Sequence, residues 1–496
     1  MRIQPIFIGF ALLIGGVIEA YAAAPEDSVV RVYATIRVPN PVRPWAKQNP
    51  VELMGTGVIV DGKTILTNAH LLLYADDVTV QGRQGGDRFE GKVATVGPGI
   101  DLATVTVNES KFFETRPPMP RAAQRPSSNV GVVVYGFSVG GSGLAVTRGI
   151  VSRVEYAEYN DIVEGMRIQV DAAVNPGSSG GPALVDGRMI GLTFGQLGRA
   201  ENVGYVIPNE EIDAYLDDVK DGRYDGKLRT SDRYQVLENE ALRARLGLAK
   251  SVRGIMVNRP GRSDSTYPLC EGDVITRIGD AALDNEGMVD YEENLRLPFT
   301  SLIPRLAKEG ILPVTLVRDG KSLEIGLSLS REDDRLIKPY RGQYPPFFVY
   351  GPLVFSPVFE EVVPYYIQGN PIALAGSPLL SRAGDRAAFP GEELVVVTAP
   401  LLAHKIAKGY GNSFGQVVSH VDGVRVKNLH HLVEMLQQGQ GEFVTFRFFG
   451  ELSETMVFRR GAIEEATDQV MSENGIPRRG SGDVMAIWNK VAPMPR

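Results

Sequence analysis

The chain has 496 residues, 43% hydrophobic and 22% charged, too long for one core at about 100–200 residues per domain and too balanced for a disordered or polytopic membrane protein. A formal net charge of −7 argues against a basic, phosphate-tracking surface, so nucleic acid is not an expected partner. The single cysteine, Cys270, excludes an intrachain disulfide and reads as a small core residue.

The N-terminus, MRIQPIFIGFALLIGGVIEAYAAAPED, sets one basic residue, Arg2, before an apolar run from Ile6 to Ile18. That run is short for a bilayer span of about 20 residues, and Ala20-Tyr21-Ala22 supplies the small-x-small pattern of a cleavage site. Residues 1–22 are therefore predicted to be the signal peptide of an exported protein; left uncleaved, the segment would anchor the chain to a membrane. From 23 to 228, short β-branched runs such as VVRVYATIRV, GTGVIV, TILTNAH, VGVVVYGF and VGYVIP alternate with Gly, Asn, Asp and Pro, the pattern of an all-β sandwich or barrel pair. PNEEIDAYLDDVKDG, from Pro208, is the first amphipathic helix and closes this region before the charged linker KDGRYDGKLRTSDR.

Residues 229–333 read as a smaller mixed unit. NEALRARLGL is a helix, RGIMVNRP and GDVITRIGD are strands, a helical stretch follows near Leu302 to Glu309, and LPVTLVRDGKSLEIGLSL is a hairpin across Asp319-Gly320. A related order recurs over 334–460, with GEELVVVTAP, FGQVVSHVDGVRV, the helix NLHHLVEMLQQG and the hairpin EFVTFRFFGELSETMVFRR, a repeat at module scale. The aromatic-rich YPPFFVYGPLVFSP reads as a packing surface towards the first region or another subunit. A C-terminal extension, 461–496, holds the helix-like AIEEATDQVM and no catalytic signal.

Of five histidines only His70 lies in the β-rich region, ending the apolar strand of ILTNAHLL at a turn, where functional groups concentrate. To act as a base it needs a carboxylate that fixes its tautomer. Asp101 opens DLATVTV directly after the turn GPGI, a place that suits a buried acid and ordinary turn chemistry alike. Ser178 and Ser179 fall in NPGSSGGPAL, whose glycines permit a positive-φ backbone. Such a loop can carry a nucleophile and turn its amides towards a developing oxyanion, or it can be no more than a tight turn. The chain order His, Asp, Ser inside an all-β region is that of a chymotrypsin-type triad. No metal is expected, since His430 and His431, adjacent on a helix, point apart; no P-loop is present, and no cofactor is expected.

TNAH with His70, DLA with Asp101, NPGSSGGP with Ser179 and VGYVIP from Val203 together resemble the signature blocks of the HtrA/Deg family of serine endopeptidases. The GDVI unit is similar to that family's PDZ domain, although its helix region, DNEGMVDYEENLRLPFTSLIP, is longer than in a minimal PDZ domain. EELVVVTAPLLAHKIAKGY, VDGVRVKNLHHLVEML and FVTFRFF are similar to the divergent second PDZ domain of plant-type Deg proteases. The resemblance implies a mainly β chain, with a chymotrypsin-like double β-barrel protease domain followed by two PDZ-like α+β domains. It implies Ser179 as nucleophile, since it precedes Gly180-Gly181, with His70 as base and Asp101 as the acid that orients it. The amides of Gly177, Ser178 and Ser179 would form the oxyanion hole, Ser178 standing where the family usually has Asn.

The strand GLTF, from Gly191, is expected to pair with substrate backbone, with Ala172, Ala173, Leu192, Thr193 and Phe194 lining a pocket for small or aliphatic side chains. Arg253, Gly254, Ile255 and Met256 are expected to receive peptide C-termini by β-augmentation. The resemblance further implies ATP-independent hydrolysis of unfolded or damaged proteins in the periplasm, as envelope quality control, by a homotrimer or a multiple of trimers. A peptide-binding chaperone with a relic protease domain is the alternative; the intact His70, Asp101 and Ser179 favour the enzyme.

Overall fold

Strands β1 (Val29–Ile36), β2 (Val51–Val60), β3 (Thr64–Thr67), β4 (Ala75–Gly82), β5 (Arg88–Gly97) and β6 (Leu102–Val107) close an antiparallel barrel in the order β1, β2, β3, β6, β5, β4. Strands β7 (Gly131–Gly136), β8 (Ala145–Glu158), β9 (Glu164–Val170), β10 (Pro182–Val185), β11 (Arg188–Phe194) and β12 (Gly204–Pro208) close a second in the order β7, β8, β9, β12, β11, β10. Counted from its own first strand, each barrel has the same order. Closure removes the unpaired edges that short β-branched strands would otherwise expose. The computed structural model describes residues 24–490 apart from 84, 140, 142, 160–162, 196–202, 263, 370–375 and 451; the segment read as a signal peptide lies outside the described residues.

Val30, Val32, Ile59, Ile65, Val80 and Val105 fill the first barrel, and Val132, Val134, Ile168, Val170 and Val206 the second. A separate cluster with Val58, Leu66 and Leu102 from one barrel and Phe137, Leu184 and Leu192 from the other joins the two. Helix α1 (Asn209–Asp218) starts where β12 ends and lays Ile212 and Tyr215 on that cluster.

The third unit is a sheet of β13 (Arg233–Gln235), β14 (Ile255–Arg259), β15 (Val274–Ile278), β19 (Ile311–Arg318) and β20 (Lys321–Ser328), in that order, with β16 (Ala281–Ala282) beside β15. Helices α2 (Glu240–Arg245) and α3 (Ile303–Leu306) flank it. The segment read as an extended helix region instead forms a hairpin, β17 (Met288–Glu292) and β18 (Leu295–Pro298). Asn294 turns it in the left-handed region, φ 62°, and the paired Val289 and Leu297 are both buried. The hairpin meets the barrel region through Arg125, whose guanidinium bridges Glu210 of α1 at 2.8 Å and Glu292 of β17 at 2.6 Å. Cys270 is exposed, contrary to the core position read from the sequence: it sits on the turn into β15, where its amide donates to Asp273.

In the fourth unit β21 (Phe348–Tyr350), β22 (Leu353–Pro357) and β23 (Val395–Val397) form one sheet, with the short helices α4 (Val363–Gly369) and α5 (Pro378–Ser381) between the last two. β24 (Val418–Val421), β25 (Val424–Arg425), β26 (Phe443–Phe448) and β27 (Met456–Arg459) form another, packed with α6 (Leu429–Gln438), α7 (Arg460–Glu473) and α8 (Gly482–Trp488). The aromatic stretch is mostly core of its own unit: Phe347, Phe348, Tyr350 and Phe355 are wholly buried in a hairpin onto which α7 and α8 bring Ile463 and Val484, and the packing towards the first region read from the sequence is made at Phe347. The first barrel takes part in these cores, since Val42 and Tyr74 pack against the cluster of Leu336, Tyr340 and Phe414, and Trp45 against Phe347.

Candidate active site

His70 sits in a single 3-10 turn, Ala69–Leu71, at the end of β3, and Asp101 on the turn that leads into β6; β3 and β6 are hydrogen-bonded neighbours. Asp101 takes the left-handed conformation, φ 57°, which a short polar side chain tolerates better than most. Its carboxylate holds the histidine twice. Oδ1 accepts the His70 amide at 2.9 Å, and the two oxygens lie 3.0 and 2.9 Å from Nδ1. The Asp101 carbonyl accepts from the buried Asn68 side chain at 2.9 Å. With Nδ1–H facing the carboxylate, Nε2 is left as the acceptor on the far side of the ring. Asp101 is 3% exposed and the His70 side chain 42%, so the acid is sealed behind a base that faces solvent. Burial pulls the imidazole pKa down, the hydrogen bond to Asp101 and its charge pull it up, and the balance lies above 6.5.

The serines lie on the facing barrel, in the loop before β10. Asn175, Pro176, Gly177 and Ser178 form a type II turn, closed by the Ser178 amide on the Asn175 carbonyl at 2.9 Å, with Gly177 at φ 94°. Glycine is required there twice over, because a Cβ would also overlap the Phe137 carbonyl oxygen. The Pro176 carbonyl accepts the Val139 amide at 2.9 Å. In a trans peptide the Gly177 N–H then points the opposite way.

Neither the Gly177 nor the Ser179 amide donates to any described residue. Two N–H groups one residue apart are therefore free beside the Ser179 side chain, an arrangement able to receive an oxyanion. The Ser178 amide, expected as a third donor, is spent on closing the turn. The Ser179 hydroxyl makes no hydrogen bond to the His70 ring among the described residues; such bonds often tighten only when substrate is bound.

Three of the residues expected to line a pocket do not. Leu192 and Thr193 are 0% and Phe194 5% exposed, and Phe194 packs in the cluster between the barrels against the tilted rings of Tyr159 and Tyr205, at 4.9 and 5.9 Å. β11 has β10 on one side and β12 on the other, so Gly191 and Leu192 present no free edge to a substrate. Thr193 braces the nucleophile loop instead: its amide donates to Gly181 O at 2.8 Å, and its hydroxyl lies 2.8 Å from Ser178 O and 3.0 Å from Gly181 O. Of the expected alanines, Ala172 is wholly buried, and Ala173 is exposed beside the loop.

The expected peptide strand fails for the same reason. β14, with Ile255 and Met256, pairs with β13 on one edge and β15 on the other, and both side chains are buried. A Cβ on Gly254 would overlap the Ile275 carbonyl, so Arg253-Gly254 leads into the sheet rather than around a ligand. The outer strands of this sheet are β13 and β20.

The sequence reading passed over Thr56, Thr67 and Asn68, all 0% exposed. Threonines in strands read as β-formers, and only the fold shows where their hydroxyls point.

Residues 55–192 match the trypsin-like peptidase domain family, and residues 339–483 a PDZ domain family. Protease Do-like 2, chloroplastic, from Arabidopsis thaliana is 32% identical over 470 residues, covering 92% of this chain and 75% of the relative. Protease Do-like 4, mitochondrial, from the same organism is 29% identical over 462 residues, covering 92% and 85%. Among solved structures, HtrA-type protease AlgW with tripeptide matches 62% of this chain and 94% of its own at 21% identity and a TM-score of 0.48.

Proposed function

We propose that this chain, which belongs to the HtrA/Deg family of trypsin-like serine peptidases, hydrolyses unfolded or damaged proteins without ATP through an acyl-enzyme on Ser179. The observation that carries the reading is the pairing of a buried Asp101 carboxylate on His70 Nδ1 with two unpartnered amides, Gly177 and Ser179, on the facing loop. Ser179 Oγ attacks the scissile carbonyl, and His70 Nε2 takes its proton and later returns it to the leaving amine. Asp101 keeps the ring in the required tautomer and stabilises the imidazolium. The carbonyl oxygen, as it gains charge, moves onto the Gly177 and Ser179 amides; losing one donor from such a hole costs about 2.7–4 kcal/mol in the barrier.

Substrate chains add to β13, one of the two outer strands of the third unit's sheet. Beside it lies a cavity of about 610 Å³, lined among others by Arg233, Tyr234, Thr300 and Ile303. The export signal read in residues 1–22 supports work in the periplasm as envelope quality control, and the family supports a homotrimer or a multiple of trimers.

Incubation with casein at elevated temperature, beside Ser179→Ala, tests the activity. Wild type is expected to degrade casein and the variant to lose about 10⁶ in kcat. A fluorophosphonate should label wild type at Ser179 alone. Intact casein in both samples, or a label at another residue, refutes the reading.

A further inference from the structure

We propose that Thr56 is a positioning residue for the oxyanion loop, holding through its hydroxyl the turn that leaves the Gly177 amide free. The inference rests on the reading of Ser179 as nucleophile and adds to it a residue from the other barrel. Thr56 lies in β2 and is wholly buried, yet all of its polar groups are used at the junction of the barrels. Its amide donates to the Ser179 carbonyl at 2.9 Å. Its hydroxyl lies 2.8 Å from the Gly177 carbonyl and 2.8 Å from the Phe137 amide. Its own carbonyl accepts the Thr67 hydroxyl at 2.7 Å.

Chemistry fixes the direction of these bonds. A hydroxyl has one hydrogen to give, and a backbone amide can only donate, so Thr56 Oγ1 accepts from Phe137 and gives its hydrogen to Gly177 O. That carbonyl has no other partner among the described residues. It stands at one end of Gly177, whose N–H at the other end faces the hole. Phe137 leads, two residues on, to Val139, whose amide holds the Pro176 carbonyl. One hydroxyl thus ties the Gly177 carbonyl to the segment that fixes the preceding peptide, and both peptides flanking Gly177 are oriented from outside the loop.

Without the hydroxyl, the Gly177 carbonyl and the buried Phe137 amide both lack a partner, and buried polar groups are rarely left so. A turn of the loop that brings that carbonyl to a new donor relieves the first at the cost of the hole. Thr67 makes the arrangement continuous with the base, since it is the last residue of β3, three before His70. Gly180 lies against both threonines, and a Cβ on it would overlap the Thr56 carbonyl. The hydroxyl, and not the threonine's shape, carries the role, so valine, its near-isostere in a strand, is the discriminating substitution.

The test uses the full chain as wild type, Thr56→Val, Thr56→Ser and Thr56→Cys, with casein hydrolysis, inhibition by a peptide boronic acid and thermal melting. The boronate forms a tetrahedral adduct on the serine and reports the hole independently of turnover. Thr56→Val is expected to lose at least about 10-fold in kcat, with KM and the acid limb of the pH profile unmoved and boronate affinity weakened in step with kcat. Thr56→Ser is expected to restore both. If the valine variant does not fold, Thr56→Cys, with a weak donor of similar size, is expected to show a smaller parallel loss. Wild-type boronate affinity in the folded valine or cysteine variant overturns the proposal, and so does failure of the serine variant to recover. A wild type that neither cleaves casein nor binds the boronate refutes the peptidase reading instead, so the two failures are distinguishable.

Discussion

The first and second barrels repeat one strand order, yet the first presents a hydrogen-bonded pair of side chains to the site and the second a serine on bent backbone. On the first, His70 and Asp101 end neighbouring strands and are joined by side-chain hydrogen bonds, so what matters there is where a proton sits. On the second, a glycine at φ 94° and a carbonyl turned onto Val139 free the amides, so what matters is the direction of peptide planes. The same division extends to attachment. The first barrel shares apolar cores with the fourth unit through Val42, Trp45 and Tyr74, whereas α1 and the segment before β7 meet the third unit through the charged Glu210, Arg125 and Glu292. One fold, used twice, supplies proton chemistry on one side and fixed dipoles on the other.

The contrast can be broken most directly at Asp101. Asp101→Asn is expected to lower kcat about 10⁴-fold, through the wrong tautomer of His70. It should also move the acid limb of kcat/KM to lower pH. With His70 as the proposed base, working only when neutral, wild-type activity is expected to rise with pH through an apparent pKa raised from the ordinary histidine value, and the two influences that raise it both come from Asp101. An unmoved limb in the variant would deny the first barrel its role in proton placement.

Gly177→Ala should behave in the opposite sense. The added Cβ overlaps Phe137 O and the φ is unfavourable for alanine, so kcat is expected to fall about 10²–10³-fold while the acid limb stays where it is in wild type. A shift of that limb would mean that the backbone of the second barrel and the proton chemistry of the first are not separable.

The smallest effect concerns attachment. Trp45→Ala removes the ring that packs on Phe347 at 6.1 Å and is expected to destabilise the chain by about 1–3 kcal/mol, half-buried as the side chain is. Thermal melting would read it, and the loss should persist in high salt because the contact is apolar. Loss of the difference in salt would make this docking electrostatic after all.

The chain order of His70, Asp101 and Ser179 was legible in the sequence because each sits in a short motif beside a turn, and turns are written in residue type. The alternation of β-branched runs and turn residues likewise announced the barrels, since a period of two is local. Misplacements arose wherever the question was which edge or face of an element is used. GLTF and RGIM both read correctly as strands, but each turned out to have partners on both sides. FFVY read as a surface packed on another region or subunit, and it is mostly the core of its own unit, because hydrophobicity is the same for an interface and a core. Glu292 to Leu295 turned back as a hairpin on Asn294, a signal weaker than the helical pattern around it.

By itself, then, the sequence determined most of the elements, the triad candidates and the glycines that permit the loop, because propensity, turn chemistry and order are properties of neighbours along the chain. Only the tertiary structure decided that among the described residues the Gly177 and Ser179 amides have no partner while that of Ser178 does, and that Thr193 braces a loop rather than lining a pocket. It alone brought Thr56, 121 residues before Gly177, onto that residue's carbonyl. The direction of an N–H depends on what holds the opposite end of its peptide, and here the holders come from strands far away in sequence.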